Sequence, residues 1–453
     1  MSVEKPLRRR ILLPLLREYY LFDYYKHLAC RLQGDGFDVR VVTFDSKIED
    51  EYRKLHPGLK VEQGPRLIRY LNNRSGNPLV RILLWLAAWG WALQLRSSVD
   101  MVVVPFDQKP VWYAMTRVLT SITCHTTTDM IDVSVSAHHY SISDDFAAQP
   151  VHRFMEIVDS IFGRRILFRM AGYVIAYDPA RLLVDRMMGF RAPSNFHGVS
   201  GADYVTVSGH RIAENFQAQG VGLPGGETRL LVTGSPAYEA LYRIARDLDA
   251  EQRRKFCTEY GIPADRPMYS LFLSPSKFDE NQIEEIAEVI RLIRGHDPRA
   301  FIMLKFHPKT RNGEPERFRT RMRLGPEDML TITEFGGDEL NTRLTLVSHC
   351  LVQKQSTVGF IAMLLSIPII SYNFRDTGYA DDLYRSLQAS FHAESPTAFS
   401  DALRLLGTAE GRARLAEMQE AACRNFCIRA PSPCSLVADA IKAHFSGTVE
   451  STR

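Results

Sequence analysis

At 453 residues the chain is long for one hydrophobic core, so two domains of roughly 200 residues each are expected. Its 45% hydrophobic and 24% charged content is that of an ordinary globular protein, and 56 basic against 52 acidic side chains leave only +4, too little to mark a nucleic-acid binder. The seven cysteines are scattered and odd in number, which suits a reducing compartment, and the spacing of Cys423, Cys427 and Cys434 matches no common zinc pattern.

Arg8-Arg9-Arg10 precedes an apolar run, but Arg17 and Glu18 stop it far short of a secretory signal core. Arg10 to Leu15 reads as a buried strand. A helix follows from Tyr19 to Gln33, Gly34-Asp35-Gly36 ends it, and Val39 to Phe44 is a second strand. This unit opens a doubly wound parallel sheet. The longest apolar run, Ile82 to Leu95, is about fourteen residues, where a bilayer span needs about 20. It reads either as a buried helix or as a helix lying in a membrane interface. Trp85, Trp89 and Trp91 are interfacial residue types, Arg81 and Arg96 flank the run, and Arg164 to Arg169 is a second basic-apolar segment. Met101 to Pro105, Ala202 to Val207 and Leu230 to Gly234 are further strands, with a helix over Ile212–Gln219. Asp38, Asp45 and Asp107 fall at or near strand ends, where α/β folds place ligand-contacting groups. Ser134 to Gly163 carries no assignable pattern.

Asp247 to Lys255 is charged, helical and linker-like, and the rhythm then restarts. Pro267 to Leu273 is a strand with the loop Ser274-Pro275-Ser276-Lys277, and Asn281 to Ile293 an amphipathic helix. Ala300 to Phe306 is a strand ending in His307-Pro308. Leu344 to Val352 carries another, followed by a helix through Leu365 and the strand Pro368 to Ser371. Two βα sets imply two facing Rossmann-like domains, 1–240 and 241–445, with an interdomain cleft and a frayed tail at 446–453.

Two motifs carry the chemistry. In Gln355-Ser356-Thr357-Val358-Gly359 two hydroxyls and a glycine stand where a helix begins after a strand. Ser356 and Thr357 there either cap the helix or donate to a phosphate. In Lys305-Phe306-His307-Pro308-Lys309 the proline forces a turn that holds the imidazole at the carboxyl edge of the sheet. His307 can donate to a phosphate oxygen there, with Lys305 or Lys309 adding charge.

Together, "KFHPK" and "QSTVGFIAMLLSIPII" resemble the C-terminal domain of bacterial surface-polysaccharide glycosyltransferases: capsule-synthesis transferases, CDP-glycerol glycerophosphotransferases and bacterial polysialyltransferases. The resemblance implies a GT-B fold, with His307, Pro308, Ser356 and Thr357 at the donor phosphate and Gln355 and Gly359 in the same loop. The chain departs from those families at Ile361, where many members carry an acidic residue. Val232-Thr233-Gly234-Ser235-Pro236 is similar to the segment that closes the N-terminal domain of such enzymes and of UDP-sugar 2-epimerases. Gly234 and Ser235, and Ser274, Ser276 and Lys277, are therefore further donor-side candidates.

An inverting transferase needs a base in its N-terminal domain. Glu18 ranks first, because strand–helix loops face the cleft, followed by Asp107 and by His125 with Asp129; His138-His139 is a weaker pair. No Asp-x-Asp pair ends a strand, so neither a metal nor a cofactor is expected. The expected function is glycosyl transfer from a nucleotide sugar to a surface-polysaccharide or lipid-linked glycan acceptor. The expected place is the cytoplasm, peripheral on the inner membrane through residues 82–95. The alternatives are a nucleotide-sugar 2-epimerase and a non-catalytic nucleotide-sugar binder.

Overall fold

Runs of four to six apolar residues, rich in Val, Ile and Leu and buried throughout, are too short for helices and form central parallel strands. The computed structural model describes residues 9–15, 20–44, 49–50, 53, 57–72, 78–105, 110–124, 157, 160, 167–170, 173–176, 200–218, 228–273, 278–306, 310, 313–322, 324–333, 337–354, 356, 358–375 and 387–447. They fall into two units, 1–237 with 432–453, and 238–431.

The first unit runs β1 (Arg10–Leu15), α1 (Tyr20–Gly34), β2 (Asp38–Thr43), β3 (Lys60–Gln63), α2 (Arg66–Asn72), α3 (Pro78–Leu95) and β4 (Met101–Val104). It continues with α4 (Pro110–Val118), β5 (Ser121–Cys124), β6 (Leu167–Met170), β7 (Tyr173–Ala176), β8 (Tyr204–Val207), α5 (His210–Ala218) and β9 (Arg229–Val232). Seven strands pair in parallel in the order β3-β2-β1-β4-β5-β8-β9. β6 and β7 form a separate antiparallel pair that takes in Leu167-Phe168-Arg169 of the second basic-apolar segment. Asp38 opens β2 and pairs with Lys60 at 2.8 Å, so it lies at the amino edge of the sheet and is no ligand candidate. Burial pushes the Cys124 thiol at the end of β5 up to about 12, a packing group instead of a nucleophile.

The second unit holds α6 (Leu241–Asp247), α7 (Ala250–Glu259), β10 (Met268–Leu273), α8 (Glu280–His296), β11 (Phe301–Phe306), α9 (Glu314–Met322), β12 (Met329–Ile332) and α10 (Gly337–Val347). Beyond them lie β13 (Cys350–Gln353), α11 (Val358–Leu364), β14 (Ile369–Tyr372), β15 (Phe391–Ala393), α12 (Pro396–Gly407) and α13 (Ala409–Phe426). Its strands are parallel in the order β12-β11-β10-β13-β14-β15. The 247–255 stretch is helical as expected, largely α7, but it lies inside the second unit, capped by Asp249 Oδ1 on the Glu251 and Gln252 N–H groups and anchored by buried Phe256 and Cys257. The stretch expected as a strand from Leu344 is helical to Val347. Thr345 Oγ1 and Ser348 Oγ donate to the carbonyls four residues back, each at 2.7 Å, which keeps the hydroxyls inside the helical pattern.

The last helix, α14 (Pro433–Ser446), belongs to the first unit, whereas the sequence reading gave 241–445 to the second domain. Cys434, Val437, Ala438 and Ile441 join the first core, and Lys442 reaches Asp35 on the turn after α1 at 2.9 Å. Cys434 thereby falls in a different unit from Cys423 and Cys427. Of the tail 446–453, residues 448–453 lie outside the described ones. No helix among the described residues is long and apolar enough to cross a membrane.

The amino edge of the second sheet is clamped by charge. Arg266 donates to Asp328 at 2.6 Å and to the carbonyls of Arg299 and Ala300, while Arg294 grips both Asp328 oxygens at 3.1 and 3.2 Å. The hydrogen bond from Arg266, with the charge of Arg294 behind it, holds the Asp328 carboxyl below its ordinary value. A carboxyl depressed in the folded state stabilises above its unfolded value, near 3.8 for aspartate, and loses that contribution as pH falls. Asp328→Asn is therefore expected to melt below wild type at about pH 6, with the gap narrowing only as pH falls below the unfolded value and through the depressed folded one; a constant gap in the melting series would contradict this.

Candidate functional site

In both sheets the strand order reverses at one point: between β1 and β4 in the first unit, and between β10 and β13 in the second. The carboxyl side of such a switch point is where open α/β sheets bind ligands, because the two flanking loops leave in opposite directions. The sequence motifs follow the strands around these points. Ser274, Ser276 and Lys277 come after β10, His307 and Pro308 after β11, and Gln355, Ser356 and Thr357 after β13, three strands that lie side by side. In the first unit Glu18 follows β1, Asp107 follows β4 and His125 follows β5, again three neighbours.

Lys305, Ser356, Gly359, Gly234 and Ser235 are described. Glu18, Asp107, His125, Ser274, Ser276, Lys277, His307, Pro308, Gln355 and Thr357 lie outside the described residues, as do Asp45, Asp129, His138, His139 and Lys309. Lys305 is almost wholly buried one residue before β11 ends. Ser356 takes the capping role: its Oγ accepts from the Val358 N–H at 3.3 Å and its carbonyl from the Gly359 N–H at 3.0 Å. Ile361, the departure from the resembled families, packs as a core residue of α11. In the first unit Gly234 adopts a φ of +75°, which favours glycine, and the buried Ser235 hydroxyl has no partner among the described residues.

Three contributors escape the motifs. Glu285 of α8, 1% exposed, ties the loop after β13, which flanks the switch point, to the loop after β14. Its Oε1 accepts from the backbone N–H groups of Phe374 and Arg375, after β14, at 2.8 and 3.2 Å, and its Oε2 receives the Lys354 ammonium, after β13, at 2.9 Å. Burial and the Glu285 charge together push the Tyr372 phenol up. Gln353 ends β13, is 1% exposed, and neither carboxamide atom finds a partner among the described residues. Asn373 Oδ1, just past β14, is likewise buried without one. Such orphaned groups are uncommon inside proteins and point to something that completes them. Leu304, Val352 and Ile370 face the second core, so alternation puts Lys305, Gln353 and Ser371 on the opposite face.

The rim is held by packing. Phe278, after the 274–277 loop, Phe306, immediately before His307, and Phe318 of α9 are fully buried and meet edge to face, with centroids 4.8 to 6.2 Å apart. In the first unit the Trp112 indole donates to the Pro14 carbonyl and the Tyr25 hydroxyl to the Cys124 carbonyl, both at 2.9 Å, which fixes the carboxyl ends of β1 and β5.

This architecture recurs in solved structures. A UDP-N-acetylglucosamine 2-epimerase from Neisseria meningitidis bound to UDP-GlcNAc matches with a TM-score of 0.55 and 10% identity, over 96% of this chain and 99% of that one. A glycosyltransferase from Rickettsia africae matches with a TM-score of 0.54 and 14% identity, over 98% and 100%. The wall teichoic acid polymerase TagF with CDPG matches with a TM-score of 0.52 and 13% identity, over 98% and 90%. The fold is GT-B. No protein-family model and no curated protein sequence matches the chain. Among the GT-B structures it resembles are an epimerase, a glycosyltransferase and a polymerase, so the fold by itself does not choose the reaction.

Proposed function

We propose that the chain is a glycosyltransferase that takes a sugar from a nucleotide-activated donor and passes it to a surface-polysaccharide or lipid-linked glycan, at the cytoplasmic face of the inner membrane. The observation that carries this reading is that the His-Pro and Ser-Thr motifs directly follow β11 and β13, the two strands that flank β10 at the switch point of the second unit. His307, Lys305 and the Ser356-Thr357 loop would hold the donor phosphate, Gln355, Gly359, Ser274, Ser276 and Lys277 its surroundings, and Gly234-Ser235 a donor-side turn. Pro308 fixes the His307 turn. Glu18, Asp107 or His125 would take the proton from the acceptor hydroxyl as the glycosidic bond forms and the nucleotide leaves. In this reading N–H groups and basic side chains neutralise the leaving phosphate without a divalent cation.

A 2-epimerase is the second reading, favoured by the epimerase among the similar structures and by the Thr233-Gly234-Ser235-Pro236 segment. The two separate on the acceptor: an epimerase converts nucleotide sugar alone, whereas a transferase releases nucleotide only when a glycan acceptor is added.

Thermal melts with CMP, CDP, UDP, GDP and TDP test the donor site. One nucleotide, at a hundred times its dissociation constant, should stabilise the protein by about 2.7 kcal/mol, and His307→Ala should lose that gain. Were no nucleotide to raise the melting temperature, the donor-site assignment would fall.

A further inference from the structure

Helix α3 is apolar on every side, which normally means burial on every side. One stripe is buried: Leu84, Ala88, Ala92 and Leu95 sit in the first core. The opposite stripe is not. Leu79, Leu83, Leu86 and Leu93 recur on one face at helical spacing and are 53% to 72% exposed, with exposed Gly90 among them. The neighbouring α2 adds Leu67 and Tyr70, 60% and 54% exposed. Six of the nine large exposed hydrophobic residues among the described ones therefore lie on these two packed helices. Single exposed leucines need no explanation, but a contiguous set marks an interaction surface.

The charge around it selects the partner. From Gln63 to Val99 the sequence has five arginines, Arg66, Arg69, Arg74, Arg81 and Arg96, and no Asp or Glu. That local excess is larger than the +4 of the entire chain. Arg66 and Arg96 are exposed, one on α2 and one just past the end of α3. Half-buried Trp85, Trp89 and Trp91 line the same helix. From Leu79 to Leu93 the stripe is about 21 Å long at the usual rise per residue. Its inner side is committed to the core, and the outer stripe is the exposed one.

We infer that the α2–α3 face docks the first unit onto an anionic lipid bilayer, the leucines entering the acyl boundary and the exposed Arg66 and Arg96 meeting lipid phosphates. The surface lies outside the loops assigned to donor and acceptor, and the inference does not rest on the reaction proposed above.

The test is co-sedimentation of the full chain with phosphatidylcholine vesicles, alone or containing about one third phosphatidylglycerol. Wild type should partition onto the phosphatidylglycerol vesicles at low salt, and more weakly onto phosphatidylcholine. The exposed triple variant Leu83→Ser/Leu86→Ser/Leu93→Ser should lose at least about tenfold in partitioning with an unchanged melting temperature. Arg66→Gln/Arg96→Gln should lose about as much, on the anionic vesicles only. Wild type that stays in the supernatant, or a triple variant that sediments like wild type, would overturn the inference. So would a concentration-dependent dimer that the triple variant abolishes without any change in vesicle binding, since a second copy would then be the occupant.

Discussion

Glu285→Ala is expected to lower the unfolding free energy of the second unit by about 3 kcal/mol and to erase nucleotide stabilisation in the surviving fold. The carboxylate is buried and fully used, by two backbone N–H groups after β14 and one ammonium after β13. Removing it strands two donors and releases the Lys354 side chain, which is itself 23% exposed and can turn to water. Most of the cost therefore falls on the Phe374–Arg375 backbone. Glu285→Gln keeps an acceptor for those N–H groups but turns an amide toward the ammonium, so it should lose less. Lys354→Met alone leaves a buried carboxylate without its cation, and the pair with Glu285→Gln should recover part of that loss. Urea melts of the two single variants and the double variant give the coupling directly. Additive effects would show that the two loops are not tied through this carboxylate.

The second large effect is expected at Phe318. Its replacement by alanine opens a cavity beneath Phe278 and Phe306 and should cost about 3–5 kcal/mol. The two partners border the 274–277 loop and His307, so nucleotide affinity should fall along with stability. Phe318→Leu restores much of the volume but not the edge-to-face contacts, each of which contributes about 0.5–1.5 kcal/mol. It should melt between wild type and the alanine variant and bind nucleotide more weakly. Normal affinity in the leucine variant, read by titration, would show that the loops hold their positions without the ring geometry.

The central strands are legible because burial on both faces leaves an unbroken apolar signature, as in Ile11-Leu12-Leu13 or Met101-Val102-Val103-Val104. The missed strands fall mostly at sheet edges. Lys60-Val61-Glu62-Gln63 of β3 is a polar edge strand with only Val61 buried, and β12 and β15 are the edges of the second sheet. β5 is central yet hidden in sequence by Ser121 and Thr123. The Thr123 hydroxyl donates to the Tyr204 carbonyl, which lets it sit inside the sheet.

At the site, the motifs announce themselves because His-Pro and Ser-Thr stand directly after apolar strands. Glu285 does not, since a glutamate in a charged helix reads as solvated; its one signal is that it precedes buried Val289 by four residues, on the inward side of α8. Gln353 carries a similarly faint mark, a lone polar residue closing an apolar strand. The meeting of Phe278, Phe306 and Phe318 depends on long-range packing that no local pattern reports.

The return of α14 into the first unit changes the order in which the molecule can be finished. Residues 238–431 form one uninterrupted stretch, whereas the first unit is assembled from the two ends of the chain. During synthesis the first sheet emerges early, but Val437, Ala438 and Ile441, which complete its core, are made only after the whole of the second unit. The place that α14 fills thus stays unfilled until the second unit has been made, while that inserted unit can close its own core once residue 431 has emerged. The unit whose strands are made first is the one completed second.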